Sequence, residues 1–481
     1  MIKTLKNILH QDRDSFRVPR RVQDTIPIKR IWKDGTFLAG NKYSRTFKFT
    51  DINYSVASEA DQLDMFLLYC DLLNSLEVGA TTKITNNNRR VSYRNFAVHL
   101  MELKGDELDR FRVEFNDLRT EAATHGSAIL QEKYVTISVV KRNIEEANIF
   151  FNRVSAEIAS RFAVLSSRMT ELNAYERLRI FHDFFRAGEE ENYMFDFDLS
   201  ARKGHSFIDA IAPSSMSIER DHIRIGDKYA RVLFLKEYPS FLKDSMVREI
   251  CEMQRNMMFS IDIIPVPTEE AVKEVERKLL GTESDITKWQ QQQNKNNNFS
   301  AVVPYALEQQ RKESTEYLND LTNSDQRMMF VTVTAVHMAD TLEELDADAE
   351  AFLSIGRKHL CDCEKLTYQQ LQGLITVLPY GLRRINALRT LTTESTAVLM
   401  PFSAQEISHE DGFYCGQNAI SRNLIFVNRE ELLNGNGYYL GTSGSGKSFF
   451  AKKEIVWLIL MGLADVIVMD YKCFTPFSDA N

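Results

Sequence analysis

Gly437-Tyr438-Tyr439-Leu440-Gly441-Thr442-Ser443-Gly444-Ser445-Gly446-Lys447-Ser448-Phe449-Phe450 reads as a short strand, a glycine-rich loop and the first turn of a helix. Residues 441–448 satisfy the phosphate-loop pattern at every fixed position, with an extra glycine at Gly444. The spacing has a chemical reason. Gly441, Gly444 and Gly446 let successive amide N–H groups turn inward around phosphate oxygens, where a side chain would obstruct them. Lys447 supplies a point charge for the β- and γ-phosphates, and Ser448 a hydroxyl placed to ligate Mg²⁺. The helix that follows adds its N-terminal amides and dipole to the same anion site. With Thr442, Ser443, Ser445 and Phe449 these residues form a candidate site for ATP and Mg²⁺. The apolar helix is expected over 449–461, and Val466-Ile467-Val468-Met469 as a buried strand after it, which completes a β-loop-α-β context and an α/β fold class.

Upstream the pattern is strand then helix, repeatedly. Thr46-Phe47-Lys48-Phe49-Thr50 alternates like a half-buried strand, and residues 61–76 carry Leu63, Phe66, Leu67 and Leu73 at helical spacing. A strand over 95–103 leads to a charged helix near 106–121, and one over 134–140 to a helix over 144–165. An echo follows, with a strand at 328–336 and a helix at 342–359. Asn143 with Glu146, and Thr341 with Glu344, have capping-box spacing, so the β-α unit reads as an internal duplication. Between the copies, Ser260 to Val266 reads as a buried strand, and Thr268 caps a helix ending at Gly281. A second helix is expected over 305–321. The polar tract 290–298 reads as a mobile tip between two helical arms, either solvated or touching a partner. Arg17, Arg20, Arg21, Lys29, Arg30 and Lys33 leave two readings of the first 40 residues, a basic docking arm or a solvated approach to the first strand. A polar stretch at 406–412 suggests a linker. Domains are therefore expected at 1–410, with a sub-boundary near 130, and at 411–481.

Composition narrows the classes. Apolar residues make up 44% of the 481 residues and charged ones 26%, with 30 Phe and 17 Tyr, which excludes wholesale disorder. With only 20 Gly and 10 Pro there are few breakers, favouring long helices and strands over a turn-rich sandwich. A net charge of −8 argues against a sequence-independent nucleic-acid coat, which needs surplus Lys and Arg. The 6 cysteines are dispersed except for Cys361 and Cys363, and reduced cytosolic thiols are expected. The apolar run 455–464 is half of the ~20 residues a membrane span needs. The 9 histidines, among them His182, His205, His337 and His359, lack metal-ligand spacing and read as surface or satisfied core residues. Cys361-x-Cys363 lacks a second pair, and Glu189-Glu190-Glu191 reads as a solvated charge run.

The chain resembles the conjugation-type type IV secretion ATPases, the VirB-four-like group that includes the TraE, TrbE and CagE proteins, in the form carried by Gram-positive conjugative elements. The strings that carry the resemblance are Val18-Pro19-Arg20, Asn41-Lys42-Tyr43-Ser44, Phe49-Thr50-Asp51-Ile52-Asn53-Tyr54, Asn256-Met257-Met258, residues 260–268, Leu391-Thr392-Thr393-Glu394-Ser395, and Gly416-Gln417-Asn418 on toward Gly437. The resemblance implies a mixed α+β assembly domain with strand-helix units and a helical hairpin, then a RecA-like ATPase domain related to the FtsK and HerA DNA pumps. It implies hexamers at the inner face of the cell membrane, cytoplasmic and peripheral through partners, with no transmembrane segment. Those partners are other secretion-channel components and a coupling protein, and ATP hydrolysis supports transfer of DNA or protein. Lys447 matches the family's catalytic phosphate-binding lysine and Ser448 its Mg²⁺ ligand.

The sequence departs from the family after Lys447, where it supplies one helix and one strand but no acidic Walker B strand, water-polarising carboxylate or arginine finger. Asp470 is followed by Tyr471-Lys472-Cys473-Phe474 rather than the family's Asp-Pro-Glu-like turn. The expectation is a fragment or frameshifted product whose family match fails near Tyr471, with Ile455, Leu458 and residues 466–469 left exposed. Two alternatives accompany the ATPase reading. One is a truncated, non-catalytic channel-assembly module, and the other a fragment of a HerA/FtsK-type DNA translocase.

Overall fold

The computed structural model describes residues 19–90, 100–125, 129–239, 243–296, 302–405, 407, 409, 412–418, 423–432, 434–462 and 465–469. Arg17, Val18, residues 95–99, Asn297, Asn298, Glu406, Ser408, Glu410, Asp411, Asp470 and the Tyr471-Lys472-Cys473-Phe474 run lie outside the described residues. The chain forms two compact units. The first comprises Met1–Arg89 and Leu130–Gln405; the second comprises Arg90–Ile129 and Glu406–Asn481. Residues 90–129, within the span expected to belong to one continuous N-terminal domain, thus group with the C-terminal segment.

The fold is mixed α/β, and its large sheet is antiparallel. In the first half of unit one, the strands are β1 (Ile28–Ile31), β2 (Phe37–Ala39), β3 (Lys42–Phe49), β4 (Ala80–Arg90), β5 (Ile129–Val139) and β6 (Met169–Glu171). The helices of that half are α1 (Glu59–Asn74), α3 (Ile144–Val164), α4 (Ala174–Phe185) and α5 (Phe197–Lys203); α2 (Asp109–His125), between β4 and β5, belongs to unit two. The second half repeats the plan with β7 (Met216–Ile218), β8 (Ile223–Ile225), β9 (Lys228–Glu237), α6 (Ser245–Cys251), β10 (Met257–Pro265), β11 (Met329–Ala339), α9 (Leu342–Lys358), β12 (Asp362–Lys365) and α10 (Gln370–Val377). Its β10–β11 connection carries a helical hairpin, α7 (Thr268–Lys295) and α8 (Tyr305–Asn323); β13 (Arg389–Leu391) and α11 (Thr393–Ala397) follow.

Each half is a hairpin leading into a split β-α-β arrangement. The strand orders are β6-β3-β5-β4 and β12-β9-β11-β10, joined in the middle where β4 pairs antiparallel with β10, Lys83 facing Asp262 and Thr85 facing Ser260. The duplication is therefore larger than the single β-α echo. Its sequence trace is the turn into the third strand of each half, Gly40-Asn41-Lys42-Tyr43 and Gly226-Asp227-Lys228-Tyr229, where both glycines hold φ at 58°. At both echoed helices the cap side chain accepts the N3 amide, Glu146 N–H on Asn143 and Glu344 N–H on Thr341. The reciprocal carboxylate bond of a full capping box is made instead at Asn173 and Glu176, ahead of α4.

Both faces of the sheet are buried. Phe47, Val135, Ile137, Ile261, Ile263, Val331 and Val333 pack on one side beneath α1, α3, α6 and α9. On the other side the central strands present a polar strip, Ser44, Thr46, Lys83, Thr85, Thr136, Ser138, Ser260 and Asp262, all fully buried. What covers that strip is the last turn of α10 and the irregular backbone after it, whose carbonyls need donors. Lys83 Nζ donates to Thr376 O, Ser260 Oγ to Val377 O at 2.6 Å, Arg177 to Pro379 O at 3.1 Å and Ser44 Oγ to Tyr380 O at 3.2 Å. Gly381 closes the crossing at φ 77°, where a Cβ would meet Ser138 Cβ at 2.7 Å.

Several expectations are corrected. Of the expected apolar positions on α1, Leu73 is buried and Phe66 half-buried, but Leu63 and Leu67 are exposed, because the helix buries Tyr69 and Leu72 in their place. Thr268 is the first residue of α7 rather than its cap. That helix passes through Gly281 to Lys295, so Gln290 to Lys295 form its last turns; pairing along α8 and burial of Thr282 and Ile286 carry it past the glycine. Residues 100–103 form no strand.

Unit two is built on α2, the antiparallel pair β14 (Phe413–Gln417) and β15 (Leu424–Val427), and α12 (Lys447–Met461). Met101, Phe413, Trp457 and Leu460 form its core, with Phe115 and Phe450 against them. Cations meet the carbonyl end of α12, where its dipole is negative. Arg112 Nε donates to Leu460 O at 3.0 Å and Lys104 Nζ to Met461 O at 2.7 Å.

Candidate functional site

Residues 441–446 form an exposed loop whose turn at 443–444 leads directly into α12. Gly444 and Gly446 take φ values of 82° and 87°, a region that side-chain-bearing residues rarely enter. At Gly441 a Cβ would meet Ser445 Oγ at 2.6 Å, so a side chain there would require the serine hydroxyl to turn away. Gly446 stands at the helix N-cap with no side chain to satisfy the first-turn amides, and Phe450 N–H to Gly446 O at 2.9 Å is the first helical bond. Amides of the first turn, those of Lys447, Ser448 and Phe449, therefore face outward without intrahelical acceptors. Lys447 folds back over the loop, its Nζ donating to Gly441 O and Thr442 O at 2.6 Å each. An ammonium bound to two loop carbonyls at the start of a helix without a side-chain cap can exchange those carbonyls for phosphate oxygens. Ser448 is exposed in the first turn, where its hydroxyl is free to reach an Mg²⁺ ion held by a bound phosphate chain. The donor set and the cradle fit both groups.

The flanking strands are corrected. Residues 437–440 and 466–469 adopt no strand, with Tyr438, Leu440, Ile467 and Met469 between 86% and 94% exposed. Among the described residues neither segment has a ladder partner, and without inter-strand hydrogen bonds an extended segment is not a strand. Ile455 and Leu458, expected to be exposed, are half-buried, Leu458 against the Trp457 core.

What holds the loop is an arginine that sequence reading passes over. Arg429 forms a two-point ion pair with Glu454 of α12, Nε to Oε1 at 2.6 Å and NH2 to Oε2 at 3.0 Å. The same guanidinium donates to Gly435 O at 3.2 Å and Tyr439 OH at 2.8 Å. A Cβ on Gly437 would overlap it. Arg429 thus fastens the chain entering the loop to the helix leaving it. Nothing in the sequence marks the pair, since 25 residues separate its members and neither belongs to a motif.

The weaker candidates separate from the site. Burial pushes the Cys361 thiol up to about 11 and the Cys363 thiol to about 12, which keeps both protonated. Among the described residues no group of three or more His, Cys, Asp or Glu could hold a metal ion. His337 is buried as expected for a core residue, but neither ring nitrogen has a hydrogen-bond partner, and desolvation together with Arg255 and Arg231 lowers its pKa to about 3. No helix of the described residues is long and apolar enough to cross a membrane. No protein-family model matches the chain, and no curated protein matches it.

Proposed function

We propose that the chain binds ATP with Mg²⁺ at residues 441–449 and serves as the nucleotide-binding component of a conjugative type IV secretion machine. The observation that carries nucleotide binding is the loop itself, with left-handed Gly444 and Gly446 opening an uncapped helix and Lys447 poised on two loop carbonyls. In this reading Lys447 neutralises the β/γ-phosphates, the first-turn amides hold their oxygens, and Ser448 contributes an Mg²⁺ ligand. The secretion role rests on the resemblance of the upstream strings, and with it come a RecA-like ATPase domain, a hexamer, channel and coupling-protein partners, and a place at the cytoplasmic face of the membrane. A channel-assembly module that turns over no ATP is the second reading. It is favoured by the segments on both sides of α12 that have no ladder partner among the described residues, because groups that orient water in such ATPases project from strand ends.

Calorimetric titration with Mg-ATP tests the first claim. Saturable binding is expected, with Lys447→Ala weakening it at least tenfold; equal affinity of the two proteins would remove the site. Phosphate release then separates the readings, since turnover abolished by Lys447→Ala supports the ATPase and binding without turnover supports the assembly module.

A further inference from the structure

Among the described residues the sheet of unit one ends at β1, which pairs there with β2 alone. Every second N–H and C=O along such an edge points away from its one neighbour and can accept another strand. Beside this edge lies a groove of about 340 Å³, formed between residues 29–32 and the α5 region. Four aromatic rings line it, Trp32, Phe195, Phe197 and Phe207. The far wall is fixed in place: Asp196 caps α5 by accepting the Leu199 amide, Gly204 ends the helix at φ 67°, and Asp198 pairs with Lys33 at 2.9 Å. The polar residues of the lining are Lys29, Arg30, His205 and Ser200, with no carboxylate among them.

We propose that this edge and groove dock an extended acidic peptide segment of a partner protein. Its backbone would add a strand to β1, one bulky apolar side chain would enter the aromatic groove, and flanking carboxylates would meet Lys29 and Arg30. Main-chain pairing supplies affinity and the pocket supplies selectivity, as in other strand-addition complexes. The observations favour a peptide over single-stranded nucleic acid. A free strand edge offers matched donors and acceptors to a peptide backbone and none of that pairing to a sugar-phosphate chain, and the basic lining is too small to track several phosphates. The basic-arm reading of Lys29 and Arg30 thereby gains a partner chemistry, independent of the nucleotide site.

The test uses the full chain and a fluorescein-labelled nonapeptide of alternating Asp and Val with a central Phe, followed by anisotropy. Saturable micromolar binding is expected. Replacing its Asp residues by Lys, or N-methylating alternate backbone amides, should each weaken binding at least tenfold, and neither change touches the folding of the protein. Phe197→Ala and Arg30→Glu should each weaken it at least fivefold. Absence of saturable binding, or equal binding of the N-methylated peptide, overturns the proposal. So does tighter binding of an oligothymidine that Phe197→Ala abolishes, which would assign the groove to nucleic acid.

Discussion

Arg429 shows how one side chain sets the geometry of a loop it does not belong to. Its fork spans Glu454, Gly435 and Tyr439, a geometry that a lysine's single ammonium cannot reproduce. Arg429→Lys is therefore expected to lower Mg-ATP affinity about tenfold while Trp457 fluorescence, which reports the core of unit two, stays unchanged. An unchanged affinity would show that the loop holds its shape without the clamp. Lys83 and Asp262 are a second pair, completely buried at 2.8 Å in the middle of the sheet. Desolvation raises the pKa of Asp262, and Lys83 opposes that rise. Removing one partner strands the other charge, so Lys83→Met should cost about 3–5 kcal/mol in urea unfolding. Lys83→Met with Asp262→Leu should recover part of the loss. His337 gives a pH signature. Its folded pKa of about 3 lies below the ordinary 6.5, so the unfolded state takes up the proton first and stability falls as pH drops below 6.5. The loss is about 2 kcal/mol between pH 6.5 and 5. His337→Leu should flatten that part of the profile.

Among elements, α3 and α9 are copies of one design, each following an 11-residue strand and opening on a side-chain cap. Asn143→Ala and Thr341→Ala are each expected to cost about 1 kcal/mol, the usual worth of an N-cap. Because the reciprocal carboxylate bond is not made at either helix, Glu146→Ala and Glu344→Ala should cost clearly less. Losses as large as those of the caps would show that the carboxylates bond the caps in solution. α12 is built differently. Its N-terminus is left open by Gly446, and its C-terminus is closed by Arg112 and Lys104. A helix stabilised at its far end and at Trp457 can keep its first amides unpaired for an anion.

At the scale of the molecule, the two units differ in how they are held. Unit one buries a long sheet on both faces, whereas unit two rests on the small Met101, Phe413, Trp457 and Leu460 core with exposed chain at 434–446. Limited proteolysis read by mass spectrometry should cut first within 434–446 and leave the sheet strands of unit one resistant; simultaneous loss of both would mean that unit two is as stable as unit one. The sequence alone determined the strand-helix succession, the β10–β11 hairpin arm and the phosphate-loop string, because periodicity, caps and glycine spacing are local properties. It left open what needs distant partners. The alternation Thr46-Phe47-Lys48-Phe49 signals one wet face, yet Thr46 is fully buried, because irregular backbone some 330 residues later crosses the strip and draws its hydrogen bonds from it. Residues 437–440 and 466–469 have strand composition but no partner to pair with among the described residues, so propensity alone did not make them strands. The Arg429 clamp, the buried Lys83–Asp262 pair and the joining of the two halves at β4 and β10 were decided only by tertiary structure, since each depends on groups that sequence distance separates and packing brings within hydrogen-bond reach.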